Sequence, residues 1–191
     1  MGMFKYFRDV LSGRIVHWNE TNNTVVNELW NKLGDLDSPN DTIFKHFMIS
    51  AGIVIEDLMG MRKNEQTIIK IDCKKVDTEK FRQLYTIILS YFSFLFNVTN
   101  RALKEDVKKA LVEVTNRPEV VQRIFQQLSK CYSKSTGEIN MGLIGGKIWD
   151  EIVEMTGFGD RMDPGQLVYF TMISGEAYKE AVKDIKAEFN L

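Results

Sequence analysis

The fold is decided by an uncharged stretch, LYTIILSYFSFLFNV, which occupies residues 84–98. An α-helix of these 15 residues is about 22 Å long, well short of the roughly 30 Å hydrocarbon core of a bilayer. Small polar side chains recur along one side of this helix: Thr86, Ser90, Ser93 and Asn97. A helix that is apolar on most sides and carries one such stripe is typical of the centre of a soluble bundle. We therefore predict a central helix over 78–98 and no membrane span.

The chain on both sides of this stretch repeats apolar residues with the 3.6-residue period of amphipathic helices. Further helices are predicted over 24–33, 39–60, 100–116, 118–132, 139–156 and 164–189. A β-strand is an alternative to a helix only at 66–76, where β-branched residues cluster. We interpret that segment as a minor strand or extended connector, or as a hairpin with residues 15–16. No repeat or low-complexity linker divides the chain. The sequence predicts one all-α domain over 1–191, a bundle of about six to eight helices around helix 78–98.

Local signals mark where several helices begin and end. Ser38 before Pro39 is expected to cap the helix over 39–60, and Pro118 is expected to start a new helix. The sequence Asp-Pro-Gly-Gln at 163–166 fits a variant of the capping box. Gly157 is expected to end the helix over 139–156.

Two glycines, Gly142 and Gly146, lie one helical turn apart in the helix predicted over 139–156. We expect this pair to permit the close approach of another helix, with the small polar stripe of helix 78–98 as a candidate partner. The same segment contains a Gly-Lys pair but does not fit a phosphate-binding loop. Met141 stands where the loop needs its first glycine, and Ile148 stands where it needs Ser or Thr.

The sequence offers few groups for catalysis or metal binding. Its two histidines, His17 and His46, lie in neither a Glu-x-x-His nor an HExxH pattern. His46 falls opposite the apolar stripe of its helix, so we expect it to be exposed. Asp150, Glu151 and Glu154 are expected to form a solvated acidic face, since no second acidic motif completes an Mg²⁺ or Ca²⁺ site. We predict no catalytic, cofactor-binding or metal-binding residues.

Charge is distributed in blocks although the net charge is only −1. Residues 100–134 carry 8 basic and 4 acidic side chains, whereas residues 150–191 carry 4 basic and 9 acidic ones. Arg101, Lys104 and Lys108 fall within about 60° of an ideal helix and form a candidate interaction ridge. The net charge of the chain is near zero, and charges of both signs are present. This argues against a surface that binds the phosphates of a nucleic acid, so we expect no nucleic-acid binding.

Composition and cysteine usage bear on the cellular compartment. The 191 residues are 44% hydrophobic and 27% charged, near the average of globular domains. Cys73 and Cys131 are too few for a disulfide scaffold and too far apart for a CxxC motif. The first residues alternate apolar and charged side chains and lack the apolar core of a signal peptide. A cytoplasmic location follows as the prediction.

Taken as a whole, the sequence favours a non-catalytic helical domain that binds a protein partner or forms a homo-oligomer. The alternative is a helical sensor or enzyme that holds an apolar or aromatic small ligand beside helix 78–98. Tyr85, Tyr91 and Phe92 are the candidate lining residues of such a pocket. A packed core accounts for the same aromatic side chains more economically, because large aromatics are usually buried.

Overall fold

The protein is an all-α bundle, as the sequence predicts. A computed structural model describes residues 20–59, 76–100, 106–133, 138–158 and 163–190, and these ranges are 83% helical with no strand. They contain seven helices: α1 (Glu20–Leu33), α2 (Ser38–Leu58), α3 (Thr78–Thr99), α4 (Val107–Thr115), α5 (Pro118–Ser129), α6 (Met141–Thr156) and α7 (Pro164–Glu188). The predicted minor strand at 66–76 falls, apart from Val76, outside the described residues.

Helix α3 lies at the centre, and every residue from Leu84 to Phe96 is buried. It packs extensively against α1, α2, α4, α5 and α6, so one continuous apolar core joins these helices. The hydroxyls of Thr86 and Ser90 donate to the carbonyl oxygens of Arg82 and Thr86, at 2.8 and 2.6 Å. These bonds satisfy buried hydroxyls within the helix itself. No helix of the described ranges is long and apolar enough to cross a membrane.

The helix ends follow the predicted signals with one correction. Asp163 accepts a hydrogen bond from the backbone N–H of Gln166, whose side chain in turn accepts one from the backbone N–H of Asp163, so α7 begins with a capping box. Gly157 ends α6 in the left-handed conformation (φ 68°), which glycine adopts without the steric cost of a Cβ atom. The cap of α2 is Asp37 rather than Ser38, because the carboxylate of Asp37 accepts the N–H of Asn40.

The prediction that His46 is exposed is wrong. The C-terminal half of α7 covers that side of α2, and the His46 side chain is only 9% exposed. Its Nε2 atom lies 2.8 Å from Oε1 of Glu188, and its Nδ1 atom lies 4.0 Å from Oδ2 of Asp184. The face that looked polar in the sequence of α2 is therefore the face that carries its contact with α7.

The prediction about the glycines of α6 names the wrong pair and the wrong neighbour. Gly142 is exposed, and a Cβ atom on Gly146 would meet only Leu167 Cδ2 at an ordinary 3.8 Å. A Cβ atom on Gly145 would lie 2.1 Å from Oγ1 and 3.2 Å from Cβ of Thr171, which is on α7. Gly145 therefore sets the close approach between α6 and α7, and the stripe of α3 is not involved in it.

Candidate functional site

The three aromatic residues predicted to line a pocket, Tyr85, Tyr91 and Phe92, lie in the core. The hydroxyl of Tyr85 donates to the carbonyl oxygen of Met48 at 2.7 Å, which fixes α3 against α2. The ring of Phe92 lies 5.5 Å from that of Tyr91 and 5.9 Å from that of Tyr178, measured between centroids. The three residues therefore have packing roles, and ligand binding beside α3 stays a prediction.

Tyr178 of α7 contacts α3 in this region. The hydroxyls of Tyr178 and Thr99 lie 2.8 Å apart, at the C-terminal end of α3. Burial raises the pKa of Tyr91 and that of Tyr178 to about 12 in each case. Both phenols are therefore protonated at neutral pH, and neither is suited to act as a base there.

The candidate basic ridge is only partly within the described residues. Arg101 and Lys104 lie outside them, and the helix predicted over 100–116 is described only as α4, Val107–Thr115. The Nζ atom of Lys108 lies 5.2 Å from the ring centroid of Phe125 on α5. This distance is that of a cation–π contact, which gives Lys108 a partner within the fold. The role of the ridge in binding stays a prediction.

The acidic face predicted on α6 is not fully solvated. The side chain of Glu151 is 6% exposed, whereas that of Glu154 is 65% exposed. Arg123 of α5 reaches both, with Nε 2.6 Å from Glu151 Oε2 and Nη2 2.6 Å from Glu154 Oε2. The carboxylates thus hold α5 against α6. In the described ranges, no three His, Cys, Asp or Glu side chains form a group that could hold a metal ion.

The contact with Arg123 predicts a pH dependence at Glu154. Hydrogen bonding and charge attraction from Arg123 lower the pKa of this carboxyl in the folded protein. A lowered pKa stabilises the fold above the pKa of the unfolded chain, and this contribution is lost as pH falls through the folded-state pKa. We expect Glu154→Gln to lower the thermal midpoint at pH 7 and to match the wild type in acid. A difference that persists or grows in acid would contradict this assignment.

A surface cavity of about 620 Å³ lies between the end of α5 and the start of α6. Tyr132 and Ile139 form an isolated antiparallel bridge beside it. Among its polar lining residues, Asn140 has a structural role, because it caps α6 by accepting the backbone N–H of Leu143 at 3.0 Å. Burial raises the pKa of the Cys131 thiol, so this side chain is a poor nucleophile at neutral pH. Neither Asn140 nor Cys131 therefore indicates a catalytic role for the cavity.

The surface that needs explanation is the outward side of α7. Val168 is 59% exposed and Met172 is 62% exposed, while a Cβ atom on Gly175 would meet nothing within 4 Å. These residues belong to a set with alternating spacings of three and four, which we name the outer stripe: Gly165, Val168, Met172, Gly175, Lys179, Val182 and Lys186. This spacing is the heptad pattern of a and d positions in helices that pair with another helix.

The opposite side of α7 is already occupied. Phe170, Ser174, Ala177, Ala181 and Ile185 are buried against the bundle. Val168, Met172 and Gly175 therefore lie on the side of α7 away from this core, whereas Val182 is partly buried against it. Single exposed apolar residues are ordinary on a protein surface, but Val168 and Met172 share one heptad pattern next to the open glycine Gly175.

Charged side chains flank the outer stripe at both ends of α7. The N-terminal end carries the exposed carboxylate of Asp163, and the C-terminal half carries Lys179, Lys183 and Lys186. Lys179 pairs with Glu176 at 2.7 Å, and Lys183 pairs with Glu180 at 3.4 Å. The surface therefore combines an apolar N-terminal half with a C-terminal half of mixed charge.

Sequence reasoning missed the outer stripe, although its spacing can be read from the chain. Only three of its seven positions are apolar, and the others are glycine or lysine. The apolar residues on the buried face of α7 dominate the helical periodicity of its sequence, so the weaker pattern of the outer stripe is not evident.

Comparison of the chain with known protein families, with curated proteins and with solved structures finds no match.

Proposed function

We propose that this protein is a non-catalytic, cytoplasmic helical domain that acts by self-association through the outer stripe of α7. The observation that carries the proposal is the exposure of Val168 and Met172 on a heptad pattern that continues through the open position Gly175. Burial of apolar side chains from water is the main driving force of helix pairing in solution.

A second copy is the partner that this surface fits best. A two-fold interface uses the same patch on both subunits, so the patch must complement itself. The outer stripe has large and small positions, and its surroundings have both acidic and basic side chains. A partner of strongly acidic or strongly basic character finds no uniform field of opposite charge there.

The contact surface is small, which sets the expected strength of the association. The outer stripe runs from residue 165 to residue 186, about 32 Å of helix at 1.5 Å per residue. One pair of helices of this length falls at the low end of specific interfaces, where association is weak. We therefore expect a dimer with a dissociation constant on the order of micromolar.

Sedimentation velocity over a concentration series tests the proposal. The weight-average sedimentation coefficient of the wild-type protein is expected to rise with concentration towards that of a dimer. The double variant Val168→Ser/Met172→Ser should weaken dimerisation at least tenfold, because it removes both exposed apolar side chains of the stripe.

Leu143→Ser is the matched control for this experiment. Leu143 is 47% exposed but lies on α6, outside the outer stripe, so its replacement should leave dimerisation unchanged. Circular dichroism of each variant verifies that the helices are intact. A wild-type protein that stays monomeric throughout the series would overturn the proposal, as would equal loss of dimer in Leu143→Ser.

A further inference from the structure

We infer that the two copies pair with their α7 helices antiparallel and with the two-fold axis between Met172 and Gly175. This inference rests on the proposed function and adds the orientation and register of the partner. In this register, residue 172 of one copy lies beside residue 175 of its partner, and residue 168 lies beside residue 179.

The order of large and small residues along the outer stripe favours this register. Reversal about the point between 172 and 175 places Met172 beside the open glycine Gly175 of the second copy, and Gly175 beside its Met172. The same reversal places Gly165 beside Val182. The open glycine Gly175 of one copy thus receives the Met172 side chain of the other, which is the knobs-into-holes arrangement of paired helices.

The lysine positions favour the same orientation. Lys179 comes beside Val168, where its methylene chain covers the apolar side chain and its ammonium group reaches water. Lys183 and Lys186 come close to the end of α7 that carries the exposed carboxylate of Asp163. In both halves of the interface, these two lysines therefore come close to a carboxylate of the other copy.

A parallel pair lacks both advantages. Each residue of the stripe then lies beside the same residue of the second copy, so Lys179 lies beside Lys179 and Lys186 lies beside Lys186. Like charges directly opposed destabilise an interface. Gly175 would also meet Gly175, which leaves a gap where the antiparallel pair places a methionine.

Disulfide trapping between two single-cysteine additions tests the register. Met172→Cys and Gly175→Cys are prepared with different affinity tags, mixed, equilibrated and oxidised with oxidised glutathione. Linked peptides are identified by mass spectrometry, so disulfides of Cys73 and Cys131 are recognised separately. A disulfide requires Cα atoms within about 7 Å, which residues 172 and 175 of opposing helices meet in the antiparallel register.

The expected product is the mixed 172–175 disulfide, in excess over the two symmetric products. In the antiparallel register, two cysteines at position 172 of opposing copies are offset by three residues along the helix axis. This offset of about 4.5 Å adds to the spacing between the helices, so the symmetric 172–172 disulfide is disfavoured. Predominant 172–172 and 175–175 products from a protein that dimerises would overturn the register and leave the proposed function standing. A wild-type protein without self-association in sedimentation velocity overturns both.

Gly175→Leu provides an independent test, since its side chain would occupy the space assigned to Met172 of the second copy. We expect at least tenfold weaker dimerisation with unchanged helicity, because Gly175 has open space around it in the single chain. Unchanged dimerisation of this variant would also overturn the register.

Discussion

The variant Gly145→Ala is expected to lower the free energy of unfolding by about 1–3 kcal/mol, the usual cost of overpacking a well-packed contact. The added methyl group would lie 2.1 Å from Oγ1 and 3.2 Å from Cβ of Thr171. Rotation of the threonine could move its hydroxyl but not its Cβ atom, so α6 and α7 must separate. Urea denaturation followed by circular dichroism measures the loss.

The neighbouring glycine provides a close control. Gly146→Ala places its methyl group at an ordinary 3.8 Å from Leu167 Cδ2. Alanine restricts the unfolded chain more than glycine does and is a better helix former, so this variant should be more stable by about 0.4–1 kcal/mol. Adding Thr171→Ala to Gly145→Ala removes the closest contact and should recover part of the stability. Equal effects of the two glycine variants would refute the assigned crossing.

The difference between these two glycines shows what could be predicted from the sequence. Some features depend on residues that are neighbours along the chain: the positions of the helices, the central place of α3 and the capping box of α7. Apolar periodicity and capping residues therefore predict them from the sequence. Which side of α6 meets α7 depends on how two helices cross. The sequence of α6 therefore indicates that small residues permit close packing, but not that Gly145 is the one that provides it.

The polar residues that were predicted wrongly have a related cause. His46 and Glu151 each lie on a helix face that contains other polar residues, so helical periodicity assigns both to solvent. Each is buried because a helix distant in sequence supplies its partner, Glu188 for His46 and Arg123 for Glu151. Pairing of this kind reduces the cost of burying a polar or charged group, and it is visible only once the helices are assembled.

A second large effect is expected at Arg123. Arg123→Met should lower the free energy of unfolding by about 1–3 kcal/mol, because it leaves the buried carboxylate of Glu151 without its ionic partner. The full cost of breaking a buried pair is larger, but the Arg123 side chain is 38% exposed, so solvent screens part of the interaction. Equilibrium urea denaturation at pH 7 measures this difference.

Two further variants separate the effect of the buried carboxylate from that of lost packing. The double variant Arg123→Met/Glu151→Met removes both partners and should recover most of the stability, since apolar side chains often replace buried ion pairs at little cost. Arg117→Met breaks a contact with Glu79, whose side chain is 50% exposed, and should cost about 1 kcal/mol or less. If the double variant were as unstable as Arg123→Met, the arginine would stabilise the α5–α6 contact through its aliphatic chain. The charge of Glu151 would then have no part in the effect.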